Sequence, residues 1–177
     1  MDGQLQFKLE MAEKFLAKIP DKIPKSRRSW QKTEENAEVF LFFAAGAIEL
    51  VKRQINDKFH VFDSKNVFYI HGLRKSLANS GEQKKTKEII GNYFTTPKHT
   101  DIKKSTLWRL QALRNQAMHG NIITSSGKSL VFTYTIHEGK NWQRFEQKSQ
   151  NPHRYFANIF LHLKKFISEV CKILAKL

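Results

Sequence analysis

The chain has 177 residues, 40% of them hydrophobic and fourteen of them Phe, which is enough for one domain with its own core. Lys and Arg number 31 against 16 Asp and Glu, a formal net charge of +15. A charge of that size draws polyanions, nucleic acid first and an anionic membrane surface second. The single cysteine, Cys171, excludes an internal disulfide framework and a cysteine-rich zinc site.

Leu5, Phe7, Leu9, Met11, Ala12, Phe15, Leu16 and Ile19 predict a helix over 3–18 that stops before Pro20. "MDGQLQFKLE" lacks the basic-then-apolar pattern of a signal peptide. "IPDKIPKSRRS" (19–29) holds two prolines and reads as a linker. A long helix is expected to start near Ser29 or Thr33, with Glu34, Glu35 and Glu38 in its early turns, and to run to Asn56–Asp57. From Val39 to Val51 it is apolar nearly all round, as in the central helix of a bundle. That run is broken by Glu49 and is too short to span a bilayer. The expectation is a soluble, cytoplasmic protein with no membrane partner. Gly46 among small alanines predicts close approach by another helix.

"FHVFD" (59–63) reads as extended or irregular. Asp63 or Ser64 can cap a helix over 65–79, with Val67, Phe68, Ile70, Leu73 and Leu77 inward. Another helix is expected over 82–94. Asp101 then caps one over 102–119, where Leu107, Leu110, Leu113 and Ala117 form an amphipathic stripe. Gly120 suits the residue just past its end. "SLVFTYTIH" (129–137) alternates with a period of two, "EGKN" can turn, and "WQRFEQ" can return, so a β-hairpin is expected over about 129–147. Asn151 as cap and Pro152 at the first position start a long last helix. The expected fold class is mostly α: a helical bundle with a β-hairpin inserted before the last helix. Residues 1–28 form an N-terminal helix and proline-containing linker, and 29–177 form the helical domain.

The excess charge is uneven. Residues 1–35 carry eight basic and six acidic side chains, whereas 74–104 carry eight and three, and 140–177 carry eight and two. Residues 103–119 hold Lys103, Lys104, Arg109 and Arg114 with no acid, which makes the first three candidate RNA contacts. No Gly-rich phosphate loop, nucleophile elbow or zinc-protease helix occurs, and no His or Cys pair has metal-ligand spacing, so neither a metal nor another cofactor is expected. His119 stands apart from the other histidines. It falls in the last turn of the expected helix, where the dipole favours an imidazolium, and Asn115 precedes it by four residues on the same face. Arg114 is five residues away, about 140° around the axis at roughly 100° per residue. One helix therefore does not hold Arg114 and His119 side by side, whereas two copies meeting could complete each other.

Arg114-Asn115-x-x-x-His119 resembles the R-x4-6-H signature of HEPN domains (higher eukaryotes and prokaryotes nucleotide-binding), including the polar residue after the arginine. The expected context is similar too: a helical bundle, the motif late on a helix, and one long helix afterwards. The resemblance covers about 29–177 in architecture and a few residues in motif. It implies a HEPN-like bundle and a metal-independent endoribonuclease that acts as a homodimer, with two facing motifs in one cleft. Arg114, Asn115 and His119 would be the catalytic residues and RNA the substrate. It also implies a toxin–antitoxin or phage-defence setting, with a cognate antitoxin as a further partner. Some toxin members carry Tyr two residues after the histidine as a modification target; here that position is Asn121, which speaks against that route of control. The alternative reading is a non-catalytic HEPN-like dimeric module that binds nucleic acid or a protein partner. A membrane-surface role for the basic last helix competes with the core for the same aromatic face.

Overall fold

A computed structural model of the protein describes residues 2–62, 70–94, 106–118, 123–126, 129–138 and 141–177. Among them are six helices, α1 (Gly3–Leu16), α2 (Arg27–Phe59), α3 (Ile70–Ser76), α4 (Gly81–Tyr93), α5 (Thr106–Ala117) and α6 (Pro152–Leu174). Three strands, β1 (Ile123–Ser126), β2 (Ser129–Glu138) and β3 (Asn141–Ser149), lie between α5 and α6 in the chain. The protein is mostly α. None of its described helices is long and apolar enough to cross a membrane.

Helix α2 starts earlier than its glutamates suggest. Ser26 is the cap: its Oγ accepts from the Ser29 N–H at 3.2 Å, and Ser29 Oγ accepts from the Ser26 N–H at 3.2 Å. The helix thus begins at Arg27 and its first turn holds no acid. Glu34, Glu35 and Glu38 sit further along, away from the N-terminal dipole. Burial, followed by the charges of Glu34 and Glu35, raises the Glu38 carboxyl above its ordinary range.

The far end runs past Asn56–Asp57 to Phe59, and His60 closes it in the left-handed region at φ 48°. Asn56 fixes the exit: its Oδ1 accepts from the Phe62 N–H at 2.8 Å and its Nδ2 donates to the Phe62 carbonyl at 3.2 Å. Between its ends α2 is the central helix, packed by α1, α3, α5 and α6. Phe40 meets Phe156 and Phe160 of α6 edge-on, at centroid distances of 5.5 and 6.0 Å. Lys52 is buried in this helix and pairs with Glu49 at 2.6 Å.

The close approach expected at Gly46 comes from the α1 side chain Lys8, whose Cδ and Cε would lie 3.3 Å from a Cβ at that position. Leu5, Ala12, Leu16 and Ile19 are buried in the same core as α2 and α6. In α3, Ile70 and Leu73 face inward, as does Leu77 just beyond it. The expected caps Asp63 and Ser64, and Val67 and Phe68, lie outside the described residues. Lys87 of α4 ties the two helices: its Nζ donates to the Leu77 carbonyl at 3.1 Å and to Asn79 Oδ1 at 2.8 Å.

The expected hairpin is part of a three-stranded antiparallel sheet in the order β1-β2-β3. Tyr134 is opposite Phe145 and Glu138 is opposite Asn141. The added strand β1 aligns Ile123 with Phe132. Phe132 attaches the sheet to the bundle. Fully buried, it stacks on Tyr155 at 3.8 Å and meets Phe156 edge-on at 5.4 Å. Helix α6 then starts as the sequence predicts: Asn151 Oδ1 accepts from the Arg154 N–H at 2.7 Å and Pro152 follows the cap. Its stripe from Phe156 to Leu174 is buried.

Candidate functional site

Helix α5 carries Arg114 and Asn115 in its last turn. The helix is anchored by Leu107, Leu110 and Leu113, all fully buried, and packs on α2, β2 and α6. That leaves its C-terminal end to solvent: Arg114 is half-buried, Asn115 is exposed, and Met118 is 65% exposed. The helix closes with a tightened turn, the Met118 N–H donating to the Asn115 carbonyl at 3.3 Å. A guanidinium in the last turn faces the negative end of the helix dipole, a favourable place for a cation.

Arg114 Nη1 donates to Asn115 Oδ1 at 3.1 Å. Adjacent helical positions point about 100° apart, but the long arginine arm bends round to its neighbour. The hydrogen bond uses the amide oxygen and leaves the Asn115 NH2 as a donor. It also holds the fork of the guanidinium on the exposed side of the turn. An arginine so placed can take a phosphate through two parallel N–H donors. His119, the third member of the motif, lies outside the described residues, as do Lys103 and Lys104.

Arg109 departs from its expected role. It is 7% exposed, and its Nη2 donates to Thr106 Oγ1 at 3.1 Å within α5. It sits on the same helix face as Thr106 and Leu113, the side turned to the core.

The other described histidines are engaged separately. His153 Nδ1 lies 3.6 Å from Asp21 Oδ1, and His162 Nδ1 lies 2.8 Å from the Asn158 carbonyl of its own helix. Burial, followed by the charges of Arg74 and Lys75, pushes the His71 imidazole down. Among the described residues no group of three His, Cys, Asp or Glu side chains gathers as a metal site requires. A groove of about 480 Å3 between α1 and α6 is floored by Leu9, Phe160, Ile167 and Cys171 and shares no residue with α5. Burial pushes the Cys171 thiol up, away from a reactive thiolate.

Compared with protein-family models, with curated proteins and with solved structures, the chain gives no match.

Proposed function

We propose that the protein is a HEPN-type endoribonuclease that cleaves RNA without a metal, as a homodimer. The observation that carries the reading is the sequence motif Arg114-Asn115-x-x-x-His119, with Arg114 and Asn115 at the solvent-facing end of α5 and hydrogen-bonded to each other. The mostly helical fold and the net charge of +15 support it.

In the proposed reaction a ribose 2′-OH loses its proton to a base and O2′ attacks the adjacent phosphorus. The P–O5′ bond breaks and O5′ takes up a proton, leaving a 2′,3′-cyclic phosphate and a 5′-OH. His119 serves as base or acid, a role that suits an imidazole titrating near neutrality. Arg114 binds the phosphate and stabilises the charge growing on its oxygens. The Asn115 NH2, left over by the bond to Arg114, donates to the same phosphate or orients His119. Five residues separate Arg114 from His119 in the sequence, and in the proposed dimer Arg114 of one copy completes the site of His119 of the other. Basic residues along the second half of the chain hold the RNA backbone. A toxin–antitoxin or phage-defence setting with a cognate antitoxin is part of the same proposal.

The test is a pair of oligonucleotides in EDTA, one all-ribose and one with a single 2′-deoxy residue at the scissile position. The reading expects cleavage of the first to cyclic-phosphate ends and none of the second. No cleavage of RNA by the purified protein would leave the alternative, a HEPN-like module that binds RNA or a protein without cutting.

A further inference from the structure

Helices α1 and α2 share an outer face with an aromatic strip in the middle, over which the Lys8 ammonium lies 5.0 Å from the Phe42 and Phe43 ring centroids, and with opposite charges on its two sides. Phe7 and Phe42 are 52% and 55% exposed, large for side chains of this size. They flank Phe43, with centroids at 6.0 and 5.4 Å, and Phe43 stacks in turn near Phe15 at 6.3 Å. On α1, Phe7, Met11 and Lys14 recur at spacings of four and three, which is one face, and Lys18 follows in the turn just past the helix end. On α2, Glu35, Glu38 and Phe42 recur at three and four. Among the described residues Lys14 and both glutamates have no ion-pair or hydrogen-bond partner, and the Lys18 ammonium lies over the Phe15 ring, at 4.4 Å.

We infer that this face binds a second copy of the chain, Lys14 and Lys18 of each copy pairing with Glu38 and Glu35 of the other around the shared aromatic strip. The register comes from the α1–α2 packing. Asn36 Nδ2 donates to the Lys18 carbonyl at 3.4 Å, and the Lys8 stem lies against Gly46. The helices are therefore antiparallel, with Lys18 level with residue 36 and Lys14 level with residue 40. Glu35 and Glu38 lie within about 3 Å of those levels at 1.5 Å per residue. A two-fold axis parallel to the helices sets α1 of one copy over α2 of the other. It brings each lysine opposite the glutamate at its own level and closes the contact at two copies.

The same charges argue against other occupants. Glu34, Glu35 and Glu38 crowd one stretch of α2, and burial, followed by the charges of Glu34 and Glu35, raises the Glu38 carboxyl. A nucleic-acid strand or an anionic membrane laid on this face would add to that repulsion, whereas a copy supplying lysines relieves it. The inference uses α1 and α2, not the α5 end, and does not rest on the nuclease reading.

The test is the mass of the full chain by sedimentation at micromolar concentration. Phe42→Glu should raise the dissociation constant by about 30-fold or more, the effect of losing a buried aromatic anchor. Lys14→Glu with Lys18→Glu should weaken the assembly, as should Glu35→Lys with Glu38→Lys, and the four changes together should restore it. If copies also meet through α5, wild type exceeds two copies and Phe42→Glu reduces it to the two copies joined through α5. A wild-type monomer, a mass unchanged by Phe42→Glu, or no recovery in the fourfold variant overturns the inference. RNA cleavage, read on the same samples, decides the nuclease reading separately.

Discussion

The Tyr93 hydroxyl donates to Glu169 Oε1 at 2.7 Å, and this contact ties α4 to α6. Burial, then the hydrogen bond and charge of Glu169, push the phenol up to about 12 from its ordinary 10. A pKa raised in the folded state means that the fold favours the protonated phenol. The stabilisation is complete below pH 10 and is lost as pH climbs from 10 to about 12. Spectrophotometric titration should show one tyrosine ionising late, and Tyr93→Phe should delete that step. The same substitution should lower stability by about 1 kcal/mol, since the half-buried Glu169 can turn to water. An unchanged titration curve in Tyr93→Phe would contradict the assignment.

Arg109 and Arg114 are expected to fail in opposite ways. Arg109 is buried and bonded within α5, so Arg109→Ala leaves a cavity and loses polar contacts. Denaturant unfolding should show a loss of about 2–4 kcal/mol. Arg114 is half-buried at the helix end, and Arg114→Ala should cost about 1 kcal/mol or less, chiefly the cation at the dipole's negative end. RNA affinity should show the reverse order, falling with Arg114→Ala and holding with any folded Arg109 variant such as Arg109→Lys.

His119→Ala should lower the rate of RNA cleavage by about 10²–10⁴ through loss of proton transfer. RNA affinity should stay near wild type, since an imidazole acting on a proton adds little to phosphate binding. Arg114→Ala should lower both rate and affinity. Mixing the two variants should recover part of the activity, because a mixed dimer keeps one site with both residues intact. Cleavage by His119→Ala at the wild-type rate removes the proposed mechanism.

RNA binding should weaken as salt rises, with a slope of log K against log salt of about −0.7 per phosphate neutralised on a single strand. Replacing one surface lysine that contacts a phosphate should reduce that slope by about the same amount. An isotherm insensitive to salt would mean that the net charge of +15 does not drive binding.

Wherever the signal was local, the sequence determined the fold. Asn151 and Pro152 started α6 because cap and first-turn chemistry act over three or four residues. The stripe of α6 and the apolar run of α2 fixed which helices form the core, since a periodicity of 3.6 has one inner face. Arg114 and Asn115, adjacent in the sequence, lie together in the last turn of α5. The Ser26–Ser29 box is equally local, whereas the glutamates downstream lie too deep in the helix to feel its dipole. Strand β1 had no sequence signal: four residues are too few to show alternation, and β2 alone makes them a strand. Tertiary structure decided the fate of individual cations. Arg109 faces inward and Lys52 is buried beside Glu49, while Arg114 turns to Asn115 at the open end of the same helix as Arg109. Composition counts a charge wherever it occurs, but whether that charge meets water or core depends on which neighbouring helix covers its face.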